Sequence, residues 1–431
     1  MRRFANVYIA LFLIDAGLSL ADELLAINGS SFALFTSGRQ LVALVVVAWS
    51  MVMFLCLGID RRLPKRVFLP MILYIAWSSL AMWPLSGVID RGALPLIASV
   101  GQVAIGLFVV ALLRGRILLP QDMFQRGFFS LRNTLGFTAI NLLLTPVVLI
   151  FGGLALVSHY LEEHTAGFLR IGPVGIYMAE RSYHRAAKQI RLAGMMHVGK
   201  KAYYRDLADS ITSEATVILT EGVTDRDRLL EYDFNYSKLA GVLGLSSQNQ
   251  MLIDGNLVDL HDLDQVPAGD GDKPDIAWAD IDLNRFDPQT VAFLNAIGRT
   301  LFSGKPLAEA LAEYSDWASE NMTPERVAGI MADILDKRND AVIASMSKAL
   351  RGYQTIIIPW GALHMPAIEA AVLEQGFAPG KKKERMSLDF RTIPYQKLWQ
   401  KWSAHAAAVS SPASLLCPLD TSCTKFLSPV F

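Results

Sequence analysis

Four charge-free apolar runs fill much of the first third of the chain, at residues 40–59, 67–89, 92–113 and 133–158. Each is long enough to cross a hydrocarbon core of roughly 30 Å as a helix, which needs about 20 residues. A backbone in lipid must satisfy its own polar groups, so runs of this kind restrict the region to a helical bundle. Pro70, Pro84, Pro95 and Pro146 lie inside or beside these runs, and neighbouring helices can satisfy the carbonyls they release. The rest of the chain is ordinary in polarity. Uneven patterning of this kind explains how 431 residues can be 52% hydrophobic and only 19% charged, values too apolar for a wholly water-soluble protein.

A weaker apolar segment, residues 4–21, precedes these runs and is interrupted by Asp15. It reads in two ways. As a span it begins after Arg2 and Arg3, with Asp15 facing other helices; as a signal peptide it ends at the small-x-small site Ser19-Leu20-Ala21. The helices that follow favour the span. Ten basic residues (Arg2, Arg3, Arg61, Arg62, Lys65, Arg66, Arg114, Arg116, Arg126 and Arg132) fall on alternate loops, against Arg39 and Arg91 on the others. By the positive-inside rule the amino terminus is cytoplasmic and everything after residue 158 lies outside, in an inner or plasma membrane.

The expected architecture is an α-helical transmembrane module of about five helices over residues 1–158, then an α/β domain with a central mixed sheet over 159–395. Residues 396–431 form a Ser/Pro-rich tail compatible with disorder. The tail holds Cys417 and Cys423, a disulfide candidate outside the cytoplasm; the third cysteine, Cys56, is a packing residue within a span. Zero net charge and one short basic run, Lys381-Lys382-Lys383, argue against a nucleic-acid partner. The lipid bilayer is the evident one.

Within the domain, residues 176–179 and 189–192 read as a hairpin around a polar turn at 185–188. Helices are expected over 201–211, 226–245, from Pro288, from Pro306, over 327–350 and over 367–373. Thr323 is placed to cap a helix whose first residue is Pro324. Strands are expected at 216–220, 276–282, 355–359 and, at an edge, 387–393, with an Asp/Gly-rich excursion at 254–275.

Chemistry gathers at strand ends. Gly194-Met195-Met196-His197 and Gly361-Ala362-Leu363-His364 share the spacing Gly-x-x-His, each between an apolar strand and a helix, and Glu221 directly follows the strand at 216–220. The carboxyl ends of parallel strands converge on one crevice. Two imidazoles and a carboxylate there can hold a divalent ion with positions open for water and substrate. Either histidine alone is more often a structural residue bonded to a carbonyl, and Glu221 alone is more often a capping or ion-paired carboxylate. Arg338, in mid-helix, is expected on a solvated face or paired with Asp336 or Asp340. Asp280 and Asp282 are extra ligands, partners behind the histidines, or strand-end turn acids.

The run from Gly194 to Gly199 with Tyr203-Tyr204, then Val217 to Gly222, Arg338-Asn339 and Gly361 to Pro366 resembles, in order and spacing, the TraB/Tiki family of the erythromycin-esterase/ChaN-like superfamily. The resemblance covers residues 168–395. It implies an erythromycin-esterase/ChaN-like fold and a membrane-tethered peptidase using manganese or cobalt, with zinc as an alternative, and acting on peptides or proteins outside the cytoplasm. By the same resemblance His197, Glu221 and His364 are the metal or catalytic residues and Arg338 supports them; Asn339 is a further candidate behind them, beside Asp280 and Asp282. Ala367 replaces an expected glycine, and the spans precede the domain rather than follow it. Two functions are therefore in competition: a membrane-anchored metallohydrolase in which Glu221 ligates the ion or acts as general base, and a non-catalytic signalling or regulatory protein that binds a peptide, metal or haem. A transporter is disfavoured, because apart from Asp15 the spans are nearly free of ionisable groups.

Overall fold

The computed structural model describes residues 1–30, 32–80, 82–85, 89, 92–125, 127–211, 215–232, 246–247, 253–264, 273–396, 400 and 403. Among the described residues five α-helices make the first part: α1 (Arg2–Ile27), α2 (Ala33–Ile59), α3 (Lys65–Ser79), α4 (Leu94–Leu112) and α5 (Leu131–His164). Of these α1, α2, α4 and α5 are long and apolar enough to cross a membrane. The segment at 4–21 is thus the body of a longer helix that runs through Ser19-Leu20-Ala21 without a break. Ala5, Tyr8, Ile9, Phe12, Met53, Leu57, Phe68 and Met71 form the bundle's interior. Leu142, Leu143, Leu149 and Ile150 on α5 remain exposed, as side chains facing lipid would.

One expected span is shorter than its sequence promised. The apolar run at 67–89 is helical only as far as Ser79, and 15 residues reach about 22 Å. Two local interactions end it. Ser78 and Ser79 both donate their hydroxyls to the carbonyl of Ile75, and Trp77 Nε1 closes the following turn on the carbonyl of Trp83. Trp83 in turn donates Nε1 to the carbonyl of Ile171, as Ser158 on α5 does through its hydroxyl. The short helix therefore leads into a contact with the second part of the chain.

Among its described residues that second part has ten strands: β1 (Leu169–Ile171), β2 (Gly175–Arg185), β3 (Lys188–Met195), β4 (Val198–Gly199), β5 (Thr216–Thr220), β6 (Ser246–Ser247), β7 (Asn256–Leu257), β8 (Asp275–Trp278), β9 (Thr355–Gly361) and β10 (Ala378–Asp389). Eight form a mixed sheet in the order β1-β2-β3-β9-β5-β8-β7 with β10 on β2, while β4 pairs with β6 separately. From β3 to β7 every pairing is parallel. Ile356, Ile357 and Ile358 in the central strand are all buried, the unbroken apolar run that a strand covered on both faces requires. The hairpin of β2 and β3 turns at Arg185 and Lys188 as expected.

Its helices among the described residues are α6 (Lys201–Ala208), α7 (Pro288–Phe302), α8 (Leu307–Asn321), α9 (Pro324–Met331), α10 (Lys337–Ala349) and α11 (Met365–Glu374). Thr323 caps α9 by accepting from the Arg326 amide. Three expectations are corrected. Residues 226–232 form turns rather than a helix, because the Asp225 carboxylate takes the amides of Leu229 and Leu230, a local alternative to helical bonding; residues 233–245 of that expected helix lie outside the described residues. The single helix expected over 327–350 is interrupted by a π-helical turn at Ala332–Asp336. The edge strand begins at Ala378 and ends at Asp389, earlier at both ends than the expected 387–393. Cys417 and Cys423 lie outside the described residues.

Candidate functional site

Parallel pairing brings the two Gly-x-x-His segments side by side: β3 and β9 are neighbours with Gly194 opposite Trp360 and Met195 opposite Gly361. Both chains leave the sheet at the same edge. On the other side of β9 lies β5, followed by Glu221, and beyond it β8, followed by Asp280.

Glu221 is held from two directions. Its Oε2 accepts from the Gly361 amide at 2.6 Å and its Oε1 from Arg338 Nη2 at 2.8 Å. Arg338 also grips Asp280, donating from Nε at 3.0 Å and from Nη2 at 2.7 Å, and Asp280 accepts from the Gly222 amide at 2.9 Å as well. These side chains are nearly sealed, at 12% exposure for Arg338, 4% for Glu221 and 1% for Asp280. Burial works against the guanidinium's charge, yet the Asp280 and Glu221 carboxylates hold its pKa above the ordinary value. Its face lies 5.5 Å from the Trp360 ring, a further attraction for a desolvated cation.

His364 immediately precedes α11, at its N-cap position, and is buried. Its Nδ1 lies 2.9 Å from Asn339 Oδ1; because that oxygen can only accept, Nδ1 carries the proton and Nε2 keeps its lone pair. Nε2 faces Glu221 Oε1 at 3.7 Å. Burial pushes the imidazole's pKa down to about 4, with Arg338 and His197 lowering it further and Glu221 opposing them. The ring is therefore neutral near pH 7. Trp360 meets it edge-on, at 5.2 Å between centroids.

His197 stands exposed on the turn between β3 and β4, near enough to weaken the basicity of His364. Two tyrosines fix that turn: Tyr203 donates to the carbonyl of Gly194 at 2.8 Å and Tyr204 to that of Met196 at 2.7 Å. Asp282 is engaged elsewhere, accepting from Thr224 Oγ1 and from the Asn284 amide, where it caps a short turn. Among the described residues no three His, Cys, Asp or Glu side chains form a group that could hold a metal ion.

The structure thus brings Glu221, His364, Arg338, Asn339 and Asp280 together, sets His197 at the rim and leaves Asp282 in its turn. Arg338 pairs with Glu221 and Asp280 rather than with the expected Asp336 or Asp340. Trp360 and the Gly361 amide are members that sequence reasoning missed. A Trp inside an apolar strand reads as core, and only its position beside the crevice reveals the second contact. No family model matches the chain, and no match to it was found among curated proteins or solved structures.

Proposed function

We propose that this protein is a membrane-anchored, metal-dependent hydrolase of the TraB/Tiki type that cleaves peptides or proteins outside the cytoplasm. One observation carries the reading: the His364 Nε2 lone pair and the Glu221 carboxylate face each other at 3.7 Å. Two acceptors so placed call for a proton or a cation between them, and the proton on Nδ1, fixed by Asn339, aims Nε2 as in a ligating histidine. The resemblance assigns the ion to His364, Glu221 and His197, of which only His364 and Glu221 stand face to face while His197 lies at the rim; a manganese, cobalt or zinc ion held there would supply a Lewis acid that activates water. The chain's own groups do the rest. Arg338 fixes Glu221 in place by its hydrogen bond to Oε1, so that the carboxylate can accept a proton from the attacking water, and the exposed rim at His197 and Leu363 admits substrate. The loop charges turn this domain outward, toward extracytoplasmic peptides.

The test uses the full chain in detergent, with metal content and peptide cleavage measured for the wild type, His197→Ala and His364→Ala. Loss of bound ion and of cleavage in both variants supports the reading; cleavage retained in both rejects it. A second reading, a non-catalytic binder of a peptide, metal or haem, is favoured by the Arg338 guanidinium already occupying both carboxylates. It requires stoichiometric binding with no product above the His197→Ala background.

A further inference from the structure

A cavity of about 260 Å³ opens among the first four helices, lined by Asp15, Ser19 and Glu23 of α1, Arg39 of α2, and Ser99 and Gln102 of α4, among others. It lies toward the end of the bundle where α3 meets the turn that touches Ile171. Asp15 is 3% exposed. Its Oδ2 accepts from Gln102 Nε2 at 2.7 Å, while its Oδ1 is buried with no hydrogen-bond partner among the described residues.

Among the described residues one guanidinium lines the cavity, and it is engaged elsewhere. Arg39 lies 2.9 Å from the Asp22 carboxylate, which also accepts from Thr36, and donates from Nη1 to Ser19 Oγ at 3.4 Å. Asp15 and Glu23 are the wall's remaining carboxyl groups, and an ionisable group buried at membrane depth as Asp15 is marks a functional position. The hydroxyls add to this. Ser78, Ser79 and Ser99 each give their proton to a carbonyl of their own helix, so what they present elsewhere is lone pairs. The wall is rich in acceptors and poor in donors, the complement of a group with three donors and no acceptor. The space is also several times the ~30 Å³ that one water occupies in the liquid, more than a bare ion fills.

We infer that the membrane bundle contains a binding site for a small organic cation with a primary ammonium group, anchored on Asp15 Oδ1. The site lies apart from the His364 crevice and does not depend on the hydrolase reading.

Equilibrium dialysis of the full chain in detergent against radiolabelled ethylammonium tests it, with sodium chloride and ethanol as competitors. The expected result is saturable binding of one ethylammonium per chain, unaffected by ethanol or by excess sodium. Asp15→Asn keeps an acceptor for Gln102 but loses the charge, and should weaken binding by about tenfold or more. Glu374→Gln, on an exposed surface far along the chain, should bind as the wild type does. Should Asp15→Asn not fold, Ser99→Leu, which adds bulk at the cavity wall and leaves Asp15 itself in place, should abolish binding. No saturable binding by the wild type, undiminished binding by the altered chain, or displacement by sodium would each overturn the inference, the first meaning that Asp15 carries only a proton.

Discussion

Replacing Arg338 with methionine removes the one cation between two sealed carboxylates. Glu221 is 4% exposed and Asp280 1%, so water cannot take over the guanidinium's role, and backbone amides alone remain to face two negative charges. Breaking a buried ion pair by removing one partner costs about 3–5 kcal/mol. In a domain of this size each kcal/mol moves the melting temperature by about 2–4 °C, so Arg338→Met should melt on the order of 10 °C lower. The informative comparison is a cycle with Asp280→Asn. If the loss is electrostatic, neutralising Asp280 in the Arg338→Met background should recover about 1–3 kcal/mol, and the double variant should be more stable than Arg338→Met alone. The assay is thermal unfolding of the full chain in detergent, with circular dichroism following the sheet. Additivity of the two single losses to within about 0.5 kcal/mol would refute the reasoning, because it would mean that Arg338 stabilises through its packing on Trp360 rather than through charge.

The neutral His364 makes a prediction about pH. Its native pKa of about 4 lies below the ordinary 6.5, so the native state binds fewer protons than the unfolded chain between those values, and stability must fall as pH drops from about 6.5 to about 4, by up to about 1.4 kcal/mol per unit. Melting temperatures of the chelator-treated protein over that window check this, and His364→Gln should flatten the dependence; an equally steep slope in both proteins would contradict it. Tyr204→Phe removes only the hydroxyl that holds the Met196 carbonyl. It should cost about 1 kcal/mol and raise amide exchange in the turn bearing His197, with unchanged exchange there speaking against a positioning role.

Much of this protein was legible before any fold was known. Strand β5 matches its expected residues, α7 starts at Pro288 as expected and the Thr323 cap is in place, because each signal is local: a β-branched run, a proline at a first turn, a hydroxyl three residues before an amide. Three of the four charge-free runs, at 40–59, 92–113 and 133–158, lie in the long apolar helices α2, α4 and α5, since runs of such length leave the backbone no other way to satisfy itself in lipid. The run at 67–89, by contrast, ends its helix at Ser79, and the fourth long helix is α1, the weaker segment. The histidines and Glu221 were legible as candidates because their chain positions at strand ends could be read. Tertiary structure decided the rest. The partners of Arg338 are 58 and 117 positions away, and the π-helical turn just before it, which changes the direction of every later side chain in that helix, has no local signature. The turn after α3 reaches Ile171 across 88 positions through Trp83, and the cavity around Asp15 exists only because the first four helices meet. Periodicity and caps act within a few residues, whereas buried charges are settled by whichever distant group reaches them.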